Sequence, residues 1–202
     1  MEISMDRRIS ELSDALAAQL ERPDGAFGGL SACPFHRQAR TWEHLRFVLT
    51  SLTKAAIQNL ASEMMWHPEY HILICVEAEG RIGYAELRSL VNELNPELAR
   101  LGLHAFCGHP DDAYTLNGVE VRRAPHAYIA VVHSVVAEMA RDSLSETTYY
   151  QGWTEGNFSS AAMSPIPKHA INALLGNRTP PQVASEIGPP MSGCRNRPNS
   201  EF

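Results

Sequence analysis

The run Tyr70-His-Ile-Leu-Ile-Cys-Val76 does most to limit what this chain can fold into. An unbroken apolar, β-branched stretch ended by Glu79-Gly80 leaves no polar face for water, so as a strand it has to be covered on both sides. Ala127-Tyr-Ile-Ala-Val-Val132 makes the same demand. Two strands of this kind call for a sheet with helices packed on it.

The flanking periodicity supplies those helices. Ile9, Leu12, Leu16 and Leu20 recur at steps of three and four, which predicts an amphipathic helix over 4–21, broken by Arg22-Pro-Asp-Gly-Ala-Phe-Gly-Gly29. Residues 44–50 alternate and read as a strand. Leu52, Ala55, Ala56, Leu60 and Met64 mark a helix over 52–65, and Tyr84, Leu87, Leu90, Val91 and Leu94 mark another. Asn95 is placed to cap a new turn at Pro96, so 96–101 is expected as a kinked extension ended by Gly102. A short strand over 103–107, a helix carrying Val135, Val136, Met139 and Leu144, and a last helix over 166–175 complete the pattern. The expected fold is α+β (or α/β): a single small mixed β-sheet of four or five strands with packed helices. It forms one globular domain over 1–176, followed by a flexible Pro-rich tail over 177–202.

Composition narrows the function classes. The 44% hydrophobic and 20% charged fractions are those of an ordinary globular protein, and a formal charge of -6 lacks the basic footprint that nucleic-acid binding needs. No apolar run approaches the ~18 to 20 residues of a membrane span, and the N-terminus lacks the apolar core of a signal peptide. The expectation is a cytoplasmic protein with a small-molecule substrate, no nucleic-acid or membrane partner, and a homodimer as a further option. Cys33, Cys75, Cys107 and Cys194 show no CxxC spacing and read as free thiols, with Cys75 a small core residue.

Reactive side chains crowd the Gly/Pro-punctuated stretch 107–126 between two apolar runs, where a bent backbone can bring them to one point. His104, Cys107 and His109 look at first like a zinc patch. Strand alternation sends His104 and Cys107 to opposite faces, and no second ligand pair is visible. His109-Pro110-Asp111-Asp112 offers an imidazole oriented by a carboxylate, or an Asx-type turn beside a surface histidine. In Arg122-Arg123-Ala-Pro125 a guanidinium fork at a strand entrance suits carboxylate or phosphate, and only one of the two arginines can face a given cleft. His126 and His133 read as structural histidines.

Cys33-Pro34-Phe35-His36 follows a Gly-rich loop and opens a basic segment. It can supply a soft ligand or an activated thiol, or can plug the core through Cys33 and Phe35. A Cys-His nucleophilic pair also needs a third, orienting group, which the sequence does not identify. His67-Pro-Glu-Tyr-His71 is not the zincin HExxH, since Glu is displaced and Pro68 would break the helix. GxGxxG, P-loop, GxSxG and EF-hand patterns are missing from the sequence, which removes common nucleotide-binding and hydrolase readings.

Taken together, Cys33-Pro34-Phe35, Phe106-Cys-Gly-His109-Pro-Asp-Asp112 and Arg122-Arg-Ala-Pro125 resemble a poorly characterised bacterial family with Cys-Pro-Phe, His-Pro-Asp and Arg-Arg-(Ser/Ala)-Pro motifs, over roughly 31–145. The pattern is also similar to that of the YqcI/YcgG proteins, a group that includes haem-dependent N-oxygenases of specialised metabolism. That resemblance implies an oxidoreductase acting on a small amine or amino acid. His109 would be the axial ligand of the haem iron, with Asp111 or Asp112 behind it and Arg122 or Arg123 on a propionate. Phe106, Tyr114 and Tyr128 would form the apolar walls. Read from the residues alone, the same pocket works without iron, with His109 and Asp112 in acid–base work and Arg123 anchoring a substrate carboxylate. A third reading is non-catalytic: arginines binding an acidic partner, with a dimer formed through an exposed strand edge.

Overall fold

The computed structural model describes residues 5–80, 82–145, 147–150 and 153. The helix expected over 166–175 and the Pro-rich tail lie outside them. The described fold is α+β, with five helices and a mixed four-stranded sheet. In chain order the elements are α1 (Met5–Leu20), α2 (Pro34–Thr41), β1 (Leu45–Thr50), α3 (Lys54–Met64), β2 (Ile72–Glu77), α4 (Tyr84–Leu98), β3 (Leu103–Gly108), β4 (Thr115–Leu116), β5 (Val119–Glu120), β6 (Tyr128–His133) and α5 (Ser134–Ser145).

The sheet runs β1-β2-β6-β3. β1 lies parallel to β2, and β6 pairs antiparallel with β2 on one side and β3 on the other. The two most apolar runs therefore take the two inner positions, as burial on both faces requires. Alternation divides their side chains cleanly. Leu73, Cys75, Ile129 and Val131 meet Ile57 and Ala61 of α3 and Leu87, Val91 and Leu94 of α4. Ile74, Val76 and Tyr128 meet Leu12 and Leu16 of α1. A third cluster, with Phe27, Leu116, Leu144 and Tyr149, joins the 24–32 turn to β4 and the end of α5. No helix among the described residues is long and apolar enough to cross a membrane.

Three local features depart from expectation. Pro34 opens a helix at its first position, where a missing N–H costs nothing, so the Cys-Pro-Phe-His stretch becomes the first turn of α2. Asn95 caps no new turn. α4 continues through Pro96 to Leu98, and the Asn95 amide instead imitates a neighbouring strand on edge strand β3, accepting from Ala105 N at 2.8 Å and donating to Ala105 O at 3.1 Å. The 107–126 stretch also holds a hairpin of its own. Asn117 and Gly118, with φ of 51° and 80°, make the two-residue turn between β4 and β5.

Glu77 fastens the loops at the end of β2. It is buried, with one carboxylate oxygen accepting from Leu52 N at 3.2 Å and the other from Glu79 N at 2.9 Å, while Arg8 donates to its carbonyl at 2.9 Å. Glu77→Ala leaves the Leu52 amide buried without its acceptor. We expect it to lower stability by about 1–3 kcal/mol, read as a reduced urea midpoint at unchanged m-value.

Candidate active site

On the α1 side of the sheet lies a partly open cavity of about 340 Å³, within the ~300–1,000 Å³ of small-molecule sites. Its walls come from α1, α2, β2, β3, β6, the β4–β5 hairpin and α5, and are overwhelmingly apolar. Few side chains on it carry chemistry: Cys33, His36, His71, Cys107, Arg122 and Arg141.

His36 is the most informative of these. Its place on the first turn of α2 turns it inward beside the end of α1, where Cys33 N donates to Leu20 O at 2.9 Å and ties the two helices together. Glu21 follows directly. Its Oε1 lies 2.8 Å from His36 Nδ1 and also accepts from Arg40 Nε at 2.8 Å, while Arg40 Nη2 donates to Oε2 at 2.6 Å. The Arg40 fork holds the Glu21 carboxyl below its usual range, against its own burial and with help from His36. With Nδ1–H donated to an ionised carboxylate, Nε2 keeps its lone pair. Nε2 is buried, His36 is only 3% exposed, and no described residue gives this nitrogen a partner. Burial also holds the ring below the usual histidine range, so it is neutral at pH 7. An oriented imidazole with a bare nitrogen, on an apolar cavity, is what a general base or a ligand-binding group needs.

Cys33 caps the same helix. Burial pushes its thiol up, while the His36 and Phe35 amides pull the other way without closing a capping hydrogen bond. Also on the cavity, Arg122 stacks on Tyr114, its guanidinium carbon 4.1 Å from the ring centroid. Burial pushes the Tyr128 phenol, on the same cavity, well above its usual range.

The residues singled out from sequence separate into two groups. Phe106, Tyr114, Arg122 and Tyr128 line the cavity. Of the two arginines one faces it, while Arg123 is exposed and 3.5 Å from Glu120. His109, Asp112 and Arg123 are not among its lining residues. His109 is buried with both nitrogens engaged: Nδ1 accepts from Asp111 N at 3.0 Å, which leaves Nε2–H for the Ile82 carbonyl at 3.2 Å. Asp112, 1% exposed, accepts from Tyr114 N at 2.9 Å in an Asx turn and bonds the Tyr84 side chain. Together they fasten the start of the β3–β6 connection, with the Tyr84 ring tilted against that of His109 at a centroid distance of 5.7 Å. His126 is tied to Glu11 at 2.8 Å. Among the described residues no three His, Cys, Asp or Glu side chains converge as a metal site.

Glu21 escaped the sequence reading, although one signal pointed to it. A carboxylate just past a helix C-terminus opposes the helix dipole and calls for a cationic partner. No family model, curated protein or solved structure matches this chain.

Proposed function

We propose that this chain is a small-molecule enzyme. Its substrate is an apolar molecule bearing an anionic end, held in the cavity with that end at Arg122, and His36 does the acid–base work. The observation that carries this reading is the buried, unpartnered Nε2 of a histidine whose other nitrogen is held by Glu21. Leaving a buried acceptor bare costs about 1–3 kcal/mol, a cost that a bound donor removes. Relative to the sequence reading, the acid–base pair moves from His109 and Asp112 to His36 and Glu21, and the anchor from Arg123 to Arg122.

The test is titration with cis-parinaric acid, a fluorescent polyene carboxylate. Saturable enhancement is expected, weakened about tenfold or more by Arg122→Gln through loss of a charged contact. Binding of equal strength in Arg122→Gln and in Ala137→Phe, which crowds the cavity wall, would place the probe elsewhere and end this reading.

The same nitrogen favours a second reading. An unpartnered imidazole lone pair on a residue that lines an apolar cavity is also the donor that a haem iron takes. On the observed hydrogen bonds its ligand is His36 rather than His109, whose nitrogens are both engaged, with Arg122 and Arg141 available to propionates. Bound haem would supply the oxidative chemistry expected from the YqcI/YcgG resemblance, acting on a small amine or amino acid. Protein produced with added haem precursor should then show a Soret band that His36→Gln removes and His109→Gln spares. Colourless protein that refuses added haemin rules it out.

A further inference from the structure

Cys33 and His36 occupy the first turn of one helix and line one cavity, and His36 already has its orienting carboxylate. A nucleophilic thiol needs this set: the sulfur, a neutral base with a free nitrogen, and a third group fixing that base. We propose that Cys33 is the nucleophile of this site, taking an acyl group from an apolar ester or thioester. This rests on the reading of the cavity as the functional site and names its substrate class.

The other described thiols fit the role less well. Cys75 is fully buried in the core, its thiol pushed up to about 12 by burial, and Cys107 lies within strand β3 at 8% exposure. Cys33 alone shares the first turn of a helix, and the cavity, with an imidazole whose Nε2 has no partner among the described residues. Its thiol is protonated at rest, since burial and the nearby Glu21 charge both oppose the thiolate. The proton therefore has to leave as the sulfur attacks, and the unprotonated Nε2 of His36 is the acceptor provided for it.

The step balances without a redox partner. His36 Nε2 takes the thiol proton as Sγ bonds the carbonyl carbon. The bond to the leaving alcohol or thiol then breaks, and that group departs with the proton from His36. Water next attacks the thioester and gives its proton to Nε2. The C–S bond breaks, and the thiol is restored by the same proton. The net change is ester plus water to acid plus alcohol. The apolar walls select the acyl chain, and Arg122, on the same cavity, attracts the released carboxylate.

The full-length protein is mixed with p-nitrophenyl octanoate while p-nitrophenolate release and intact mass are followed, and cis-parinaric acid binding is measured on the same samples. A burst of release should accompany one octanoyl group, mapped by peptide mass spectrometry to Cys33. Cys33→Ser should abolish the cysteine thioester, and His36→Gln should slow acylation by about 10²-fold or more while still binding the polyene acid. Octanoylation mapping to Cys107 or a lysine, or no acylation although the polyene acid binds, overturns the nucleophile and leaves the cavity reading standing. Failure of the folded protein, checked by circular dichroism, to bind the polyene acid at all overturns both.

Discussion

Replacing Gly108 with alanine should cost this protein about 1–3 kcal/mol and lower Tm by on the order of 5–10 °C, more than a single methyl normally costs. Gly108 ends β3 opposite Tyr128 on β6. A Cβ at Gly108 would run into the Tyr128 ring from one side and stand 2.6 Å from the Arg122 carbonyl oxygen on the other. Neither obstacle yields easily. The carbonyl is backbone, and the Tyr128 side chain is buried among α1 and sheet residues. Gly25→Ala is the matched comparison, because no atom lies within 4 Å of its added Cβ, and it should leave Tm nearly unchanged. Thermal denaturation of the two variants beside the parent decides the matter; equal melting points would show that the Gly108 contact is not structural. The functional consequence follows from position. Tyr128 lines the same cavity as Cys33 and Arg122, so its displacement should also weaken cis-parinaric acid binding in the alanine variant.

That dependence of the site on a sheet contact explains what could and could not be read from the chain. β2 and β6 were legible because burial on both faces removes polar residues from a strand, a signal carried by neighbouring letters. Their order in the sheet was not, since nothing within Ala127–Val132 records that this strand enters between β2 and β3. The β4–β5 hairpin was legible in principle from Asn117-Gly118, the strongest short turn signal there is, but it was hidden inside a stretch read for its histidines. The site divides the same way. Cys33, His36 and the Arg122–Arg123 pair stand out as residue types at short spacing, and alternation correctly required that only one arginine face a cleft. Glu21 lies 15 residues from His36, and the two meet only because the 24–32 turn folds α2 back against the end of α1. His109 misled for the converse reason. A histidine before Pro-Asp-Asp looks available, yet the turn those residues form presents a backbone N–H to one ring nitrogen, while the Ile82 carbonyl takes the other.

Acid should destabilise this protein early, with Tm nearly flat above pH 7 and falling on the order of 10 °C between pH 7 and pH 5. Four histidines drive the effect. Burial holds His36, His71, His104 and His133 below the usual histidine value of 6.5, and His71, which also faces His44 and His133, is lowered to about 4. Above 6.5 these rings are neutral whether the chain is folded or unfolded, so they contribute no pH dependence. As pH drops through 6.5 the unfolded chain takes up protons that the folded chain refuses, and stability is lost until the folded rings protonate in turn. Glu21 acts in the same direction at lower pH. The Arg40 fork depresses its folded pKa, so its contribution is present above about 4.5 and disappears below it. The two processes are therefore ordered, histidines first and the Glu21 clamp second. His71→Phe removes the ring with the lowest value and should make the decline between pH 6.5 and 4 shallower, whereas Glu21→Gln should remove the later step and, by withdrawing the charge that raises the His36 pKa, make the earlier decline steeper. A melting temperature that stays level down to pH 4.5 would mean that these rings protonate without resistance. In that event His36 could not be held neutral by its surroundings, and the base assigned to the cavity would lose its physical footing.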